Sequence, residues 1–166
     1  GVDSNKAHAQ EAVTLNLVDE MLELKDAVVK SDLIILAIPV DAIISILPGI
    51  LDLVKNQVVI DLGSTKSLLA ESISNHPNRN RFVAAHPMWG TEYSGPSAAM
   101  EGAFENKAVI LCDLEKSAED AVKVARSIFE ILQMQIFEMN SLDHDLHAAY
   151  VSHISHISSF ALANTV

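Results

Sequence analysis

The sequence predicts an α/β chain built on an open, mostly parallel sheet, and three observations predict it. Short β-rich runs alternate with helical stretches along nearly the whole chain. The connections between them are short. The most apolar runs are continuous rather than alternating, as strands are when helices cover both faces. With 166 residues, 49% apolar and 20% charged, the chain is long enough for one cored domain, or for one domain and a piece of another.

The elements follow in order. Residues 4 to about 14 read as a helix with Ser4 or Asn5 at its N-cap. Residues 32–38 (Asp-Leu-Ile-Ile-Leu-Ala-Ile) are a buried strand stopped by Pro39. Val40 to about Lys55 is apolar at helical spacing, with Pro48-Gly49 expected to bend or split it. Residues 57–61 form the next strand, and Ser64 is expected to cap a helix running to about Ser74. Residues 81–86 are a strand, and Pro87 to about Gly102 is a loop rich in Gly, Pro, Ser and Glu. Residues 107–112 are a strand, Ser117 to about Leu132 an amphipathic helix, and residues 135–138 a last strand. From Ser141 the chain reads as one long helix whose broad apolar face (Leu146, Ala149, Tyr150, Ile154, Ile157, Ala161) needs a partner. A domain boundary is expected near Asn140, dividing 1–139 from 140–166.

Composition excludes several classes. A net charge of −11 with three Arg (Arg79, Arg81, Arg126) argues against nucleic-acid or anionic-membrane binding, which needs clustered cations. A single cysteine, Cys112, permits no internal disulfide and suits a reducing, cytoplasmic setting; it lies in an apolar strand run and reads as an inert core residue. No apolar run reaches the roughly 18 residues of a membrane span, and no signal peptide is visible.

In open α/β sheets ligands bind at the carboxyl ends of the strands. Asp3, Pro39, the Asp61–Lys66 junction and His86 are the residues expected there. Asp3 is either the acceptor for an adenosine ribose at the end of a Rossmann strand or a helix cap. Gly63 allows close backbone approach, and Ser64 is either a ligand-facing hydroxyl or an ordinary cap. His86, followed by Pro87 and a Gly turn, is either placed to exchange a proton or held by a structural hydrogen bond. Trp89 and Tyr93 read as cover for the core. His144, His147, His153 and His156 invite a metal reading, but His144 and His153 stand about 13 Å apart along one helix and cannot share an ion. No metal site is expected. Ser152, His153 and His156 suit hydrogen bonding to an anionic ligand instead.

Taken in order, Asp61-Leu62-Gly63-Ser64-Thr65-Lys66, His86-Pro87-Met88-Trp89-Gly90-Thr91-Glu92, His144-Asp145 and Ser152-His153-Ile154-Ser155-His156 closely resemble the prephenate/arogenate dehydrogenase family. The resemblance covers essentially the whole chain. It implies a Rossmann-like domain lacking its first strand and Gly-rich turn, followed by the first helix of an all-α dimerisation domain. The implied activity is the oxidative decarboxylation of prephenate to 4-hydroxyphenylpyruvate in tyrosine biosynthesis. NAD is the implied cofactor, with Asp3 disfavouring NADP, and the enzyme is implied to be a homodimer of which this chain is a piece.

By the same resemblance His86 polarises the ring hydroxyl as hydride leaves, and Ser64 shares that hydroxyl. His156, Ser152, His153, Thr91 and Glu92 serve the substrate, while Asp3, Pro39, Asp61, Gly63 and Ser64 serve the cofactor. None of the three Arg lies in a motif, so the cation for the substrate carboxylate is expected elsewhere. Two other readings compete: another oxidoreductase like 6-phosphogluconate dehydrogenase, and a non-catalytic ligand-binding or dimerisation module. The first of these uses a Lys on the helix after Asn140, where this chain offers Ser and His.

Overall fold

A computed structural model describes residues 1–91 and 93–163, without the side chains of Ser152, His153, Ser155 and His156. Five strands form one sheet in the order β1-β2-β3-β4-β5: Leu33–Leu36, Val58–Asp61, Phe82–Pro87, Ala108–Cys112 and Gln135–Met139. The β1–β2, β2–β3 and β4–β5 pairs are parallel. The β3–β4 pair is antiparallel, so the sheet is mostly parallel, as expected. The reason for the antiparallel pairing lies in the connection: a parallel return needs a crossover long enough to hold a helix, and the described residues of 88–107 hold no α-helix, just the 3-10 turn at Pro96–Ala98.

Helices flank both faces. On one side α2 (Leu24–Lys30), α3 (Val40–Leu53) and α4 (Ser67–Ser72) bury Val28, Ile43, Leu47, Ile50, Leu51 and Leu69 against the sheet. On the other, α5 (Glu119–Ile131) packs Ala121, Ala125 and Phe129 onto Val58, Ile60, Val83 and Ala85. β2 is buried at all four positions, which is why its sequence is a continuous apolar run ending in one charged residue. Each large apolar side chain withdrawn from water on these faces contributes roughly 1.5–3 kcal/mol.

Three local expectations change. The helix carrying Pro48 is not split; α3 runs unbroken from Val40 to Leu53, with Leu47, Ile50 and Leu51 buried on either side of the proline. A short helix, α2, occupies a stretch that carries no strong sequence signal; Val28 anchors it. Residues 1–3, expected to end a strand, do not form one. Gly1 nevertheless donates its N–H to Glu20 O at 2.6 Å, and its carbonyl accepts from Leu22 N at 2.9 Å. That alternation is the start of a parallel ladder too short to count as a strand. Helix α1 (Lys6–Thr14) begins at Asn5, whose Oδ1 accepts from the Ala7 and His8 amides.

After β5, α6 (Ser141–Ala148) passes through one π-helical turn, Ala149–His153, into α7 (Ile154–Ala163). α6 packs back on α4 and β4, burying His144 and Ala148. Further along, Leu146, Tyr150, Ile154, Ile157, Phe160 and Leu162 are exposed. Among the described residues no helix is long and apolar enough to cross a membrane.

Candidate functional site

The site forms where β2 and β3 end. These strands are parallel neighbours with Asp61 opposite Ala84, so the turn at Gly63–Ser64 and the side chain of His86 emerge at one edge of the sheet. Ser64 is exposed and His86 half-buried.

His86 is not isolated. Its Nδ1 lies 2.9 Å from Nε2 of His144, the two rings meeting edge to face with centroids 5.0 Å apart. His144 is fully buried, and its Nδ1 lies 2.8 Å from Oδ1 of Asp145. Asp145 then accepts from the backbone amides of Lys66 at 2.7 Å and Ser67 at 2.8 Å, which open α4. One hydrogen-bonded path therefore runs from the imidazole near the end of β3, through two residues of α6, to the turn that carries Ser64.

This path explains why Ser64 does not cap the helix. α4 starts at Ser67, and its first amides are taken by a carboxylate from 79 residues away. The same device secures α6. There Asp113, in the left-handed region at φ 51°, accepts the Ser141 amide at 2.8 Å and pairs with Lys116. Burial pushes both carboxyls up, but the hydrogen bonds prevail and hold Asp113 and Asp145 below the ordinary range. A depressed folded value means each contributes stability that is complete above the unfolded pKa of 3.8 and is lost as pH falls through the folded value. Urea midpoints of the full-length protein are therefore expected to fall in acid below pH 3.8. Asp113→Asn is expected to cost about 1 kcal/mol at neutral pH and to show a shallower acid loss.

Behind the site lies a second charged unit. Asp61 and Lys66 are both fully buried and ion-paired, and Asp61 also accepts from Gly63 N at 3.0 Å and Ala85 N at 3.3 Å. Burial pushes the Asp61 carboxyl up and the Lys66 ammonium down, each opposed by its partner's charge. Asp61 thus braces the turn from inside, its side chain buried behind Gly63 and Ser64. Gly63 is likewise fixed by packing: a Cβ there would stand 2.9 Å from Val40 Cγ2 and 3.1 Å from Asp61 Oδ2. Cys112 is buried and its thiol is pushed up to about 12, chiefly by burial, as an inert core residue requires.

The remaining expected site residues are dispersed. Pro39 is exposed at the start of α3. Asp3 does not end a strand; its Oδ1 accepts from Asn5 N at 2.7 Å, and its Oδ2 lies 3.9 Å from His8 Nδ1. Its side chain remains 38% exposed. Thr91 is exposed, and its hydroxyl accepts from Tyr93 N. Trp89 packs edge to face on Phe104, whereas Tyr93 is 73% exposed and covers no core. Glu92 lies outside the described residues, as do the side chains of Ser152, His153 and His156. All three Arg are engaged elsewhere: Arg79 over the Phe82 ring, Arg81 with Asp120 and Arg126 with Glu138. Among the described residues no cluster of His, Cys, Asp and Glu could hold a metal ion.

His144-Asp145 stands among the motifs of the resemblance, but the sequence alone assigns neither residue a role. The available signal was the inward helical face, where His144 and Ala148 fall four apart and a histidine stands at a core position.

Comparison with known proteins places the chain. The sequence pattern described as "Prephenate dehydrogenase, nucleotide-binding domain" matches residues 1–138. The cyclohexadienyl dehydrogenase of Zymomonas mobilis is 28% identical over 166 residues, covering 99% of this chain and 57% of that enzyme. The crystal structure of prephenate dehydrogenase from Aquifex aeolicus superposes with a TM-score of 0.91 at 30% identity, covering 99% of this chain and 60% of that one. The A. aeolicus enzyme in complex with hydroxyphenyl propionate and NAD+ superposes at 0.86 with 29% identity, over 99% of this chain and 58% of that one. The chain thus spans a little over half the length of these relatives.

Proposed function

The chain belongs to the prephenate dehydrogenase family, and from that premise we propose that it forms the nucleotide-binding half, and part of the substrate site, of an enzyme that oxidatively decarboxylates prephenate. The observation that carries the reading is the His86–His144–Asp145 path ending at the Ser64 turn. It sets a base and a hydroxyl at one edge of the sheet, where a ligand of an open α/β fold binds.

The residues suit the dinucleotide. Asp3 offers a partly exposed carboxylate that can accept ribose hydroxyls and that repels a 2′-phosphate. Pro39 and Ser64 are exposed at neighbouring strand ends and would line the rest of its site. Bound NAD+ supplies the hydride acceptor. What the chain supplies is position and a place for a proton. As hydride leaves the ring carbinol carbon, the C–OH becomes a carbonyl and must shed its proton, which His86 takes. Ser64 steadies the same oxygen. The C–CO₂ bond then breaks, its electron pair makes the ring aromatic, and His86 returns the proton to the phenolic oxygen. Aromatisation drives the loss of CO₂, so no metal electron sink is needed. The balance is prephenate plus NAD+ to 4-hydroxyphenylpyruvate, CO₂ and NADH.

Thr91, Glu92, Ser152, His153 and His156 are assigned to the substrate by motif, and the cation for its carboxylate to a residue outside this chain. The helical domain is assigned from residue 140, and a cytoplasmic homodimer is assigned through it; the apolar side chains exposed on α6 and α7 support that contact.

The test is direct. The full-length protein carrying this chain is incubated with NAD+ and prephenate or arogenate, NADH absorbance is followed, and the aromatic product is identified by mass spectrometry. NADH formed with 4-hydroxyphenylpyruvate supports the assignment, whereas tight NAD+ binding without turnover of either substrate supports a non-catalytic module. For the cofactor, Asp3→Ser is expected to narrow the preference for NAD+ over NADP+ by about tenfold in kcat/KM, because a like-charge repulsion is removed.

A further inference from the structure

The two buried residues behind His86 carry an inference that rests on the reading of His86 as the base. We propose that His144 and Asp145 are positioning residues that fix the proton on Nδ1 of His86, leaving Nε2 as the atom that accepts the substrate proton, and that the same carboxylate holds the Ser64 turn in register with it.

The argument is one of donors and acceptors. An ionised carboxylate can only accept, so the 2.8 Å contact between Asp145 Oδ1 and His144 Nδ1 requires the proton on His144 Nδ1. A neutral His144 then has a bare Nε2, which can only accept. The 2.9 Å contact with His86 must therefore be a donation from His86 Nδ1. In a neutral His86 ring the proton on Nδ1 leaves Nε2 with its lone pair, which is the state a general base needs. When His86 becomes cationic, its Nδ1–H faces an acceptor whose own N–H faces a carboxylate, so the new charge meets aligned dipoles. The surroundings supply charge of the right sign. Asp61 and Lys66 offset each other at the end of β2, Cys112 on β4 is a neutral thiol, and Asp145 remains as the uncompensated anion. Meanwhile Asp145 binds the amides of Lys66 and Ser67, two and three residues after Ser64. A single side chain thus sets the imidazole and the turn bearing the hydroxyl.

The experiment uses the full-length protein and four variants, each checked for folding by thermal melting. In Asp145→Asn the amide can donate to His144 Nδ1, which turns His144 around and drives the proton on His86 to Nε2. Nitrogen NMR of 15N-histidine-labelled protein, read without substrate, should show His86 protonated on Nδ1 in the parent and on Nε2 in the variant. Turnover of Asp145→Asn should fall by about 10²–10⁴-fold, with KM within about threefold. His144→Gln places an amide oxygen where Nε2 stood and keeps an acceptor for His86, so it should retain about tenfold more activity than His144→Phe. The proposal is overturned if Asp145→Asn leaves His86 protonated on Nδ1, or if His144→Phe turns over within about threefold of the parent. His86→Asn separates the two claims. If it is inactive while His144→Phe and Asp145→Asn are fully active, the base stands and the positioning role fails. If His86→Asn is itself active, the reading of His86 fails and the positioning role with it.

Discussion

His86→Asn in the full-length enzyme is expected to lower kcat by about 10²–10⁴-fold while changing stability by less than about 1 kcal/mol. The first half follows from chemistry. Oxidation of a carbinol leaves a hydroxyl proton that an amide at the strand end cannot take, and that loss is felt in the transition state rather than in binding, so KM should move little. The second half follows from packing. The ring is half-buried at the carboxyl end of β3 and its contact with His144 is a single edge-to-face meeting and one hydrogen bond. An Asn amide can still donate to His144 Nε2, so no buried acceptor is orphaned. Steady-state kinetics and urea denaturation on the same samples check both halves. Near-normal kcat would remove His86 from the mechanism, and a collapse of stability would mean the residue is structural.

What the sequence made legible, and what it hid, divides along a physical line. β2 and β3 could be read because strands covered on both faces are continuous apolar runs; β1 was found by the same pattern, but it stands at the end of the strand order with Ile35 exposed, which corrects the expectation of a buried strand. The placing of His86 and Ser64 at one edge could be read because both follow the pattern of neighbouring strand ends. The unbroken α3 and the short α2 are departures within one segment, whereas the other hidden features depend on contacts between distant segments. The antiparallel turn of β4 is decided by how residues 88–107 pack, not by any pattern within the strand. Ser64 looked like a cap because nothing local reveals that Asp145 already holds the amides of Lys66 and Ser67. The position of Asp61 at a strand end is legible, but its burial against Lys66, five residues on, is not. Spacing along one helix argued against a shared metal ion but could not show that His144 meets His86 across the fold.

The largest stability effect is expected at that inward pair. Lys66→Met should destabilise the full-length protein by about 3–5 kcal/mol, although methionine matches the lysine stem in length and suits an apolar pocket. The cost arises in what is left behind. Asp61 is fully buried, and without the ammonium its only partners are the amides of Gly63 and Ala85. Burial already pushes its carboxyl up against the pull of Lys66; removing that pull drives it higher still. A folded value raised above the unfolded 3.8 gives stability that is fully present below that pH and is lost as pH rises through the folded value. Lys66→Met should therefore be nearest to the parent in stability near pH 3.8 and furthest from it at neutral pH, a trend opposite to the acid loss expected from Asp113 and Asp145. The double variant Asp61→Asn/Lys66→Met carries no buried charge, and its amide oxygen still accepts from the turn, so it should recover at least about half of the loss. Urea midpoints across pH decide it. A single variant within about 1 kcal/mol of the parent at neutral pH, or a double variant no better than the single, would mean that the charge pair does not hold the turn beneath Ser64.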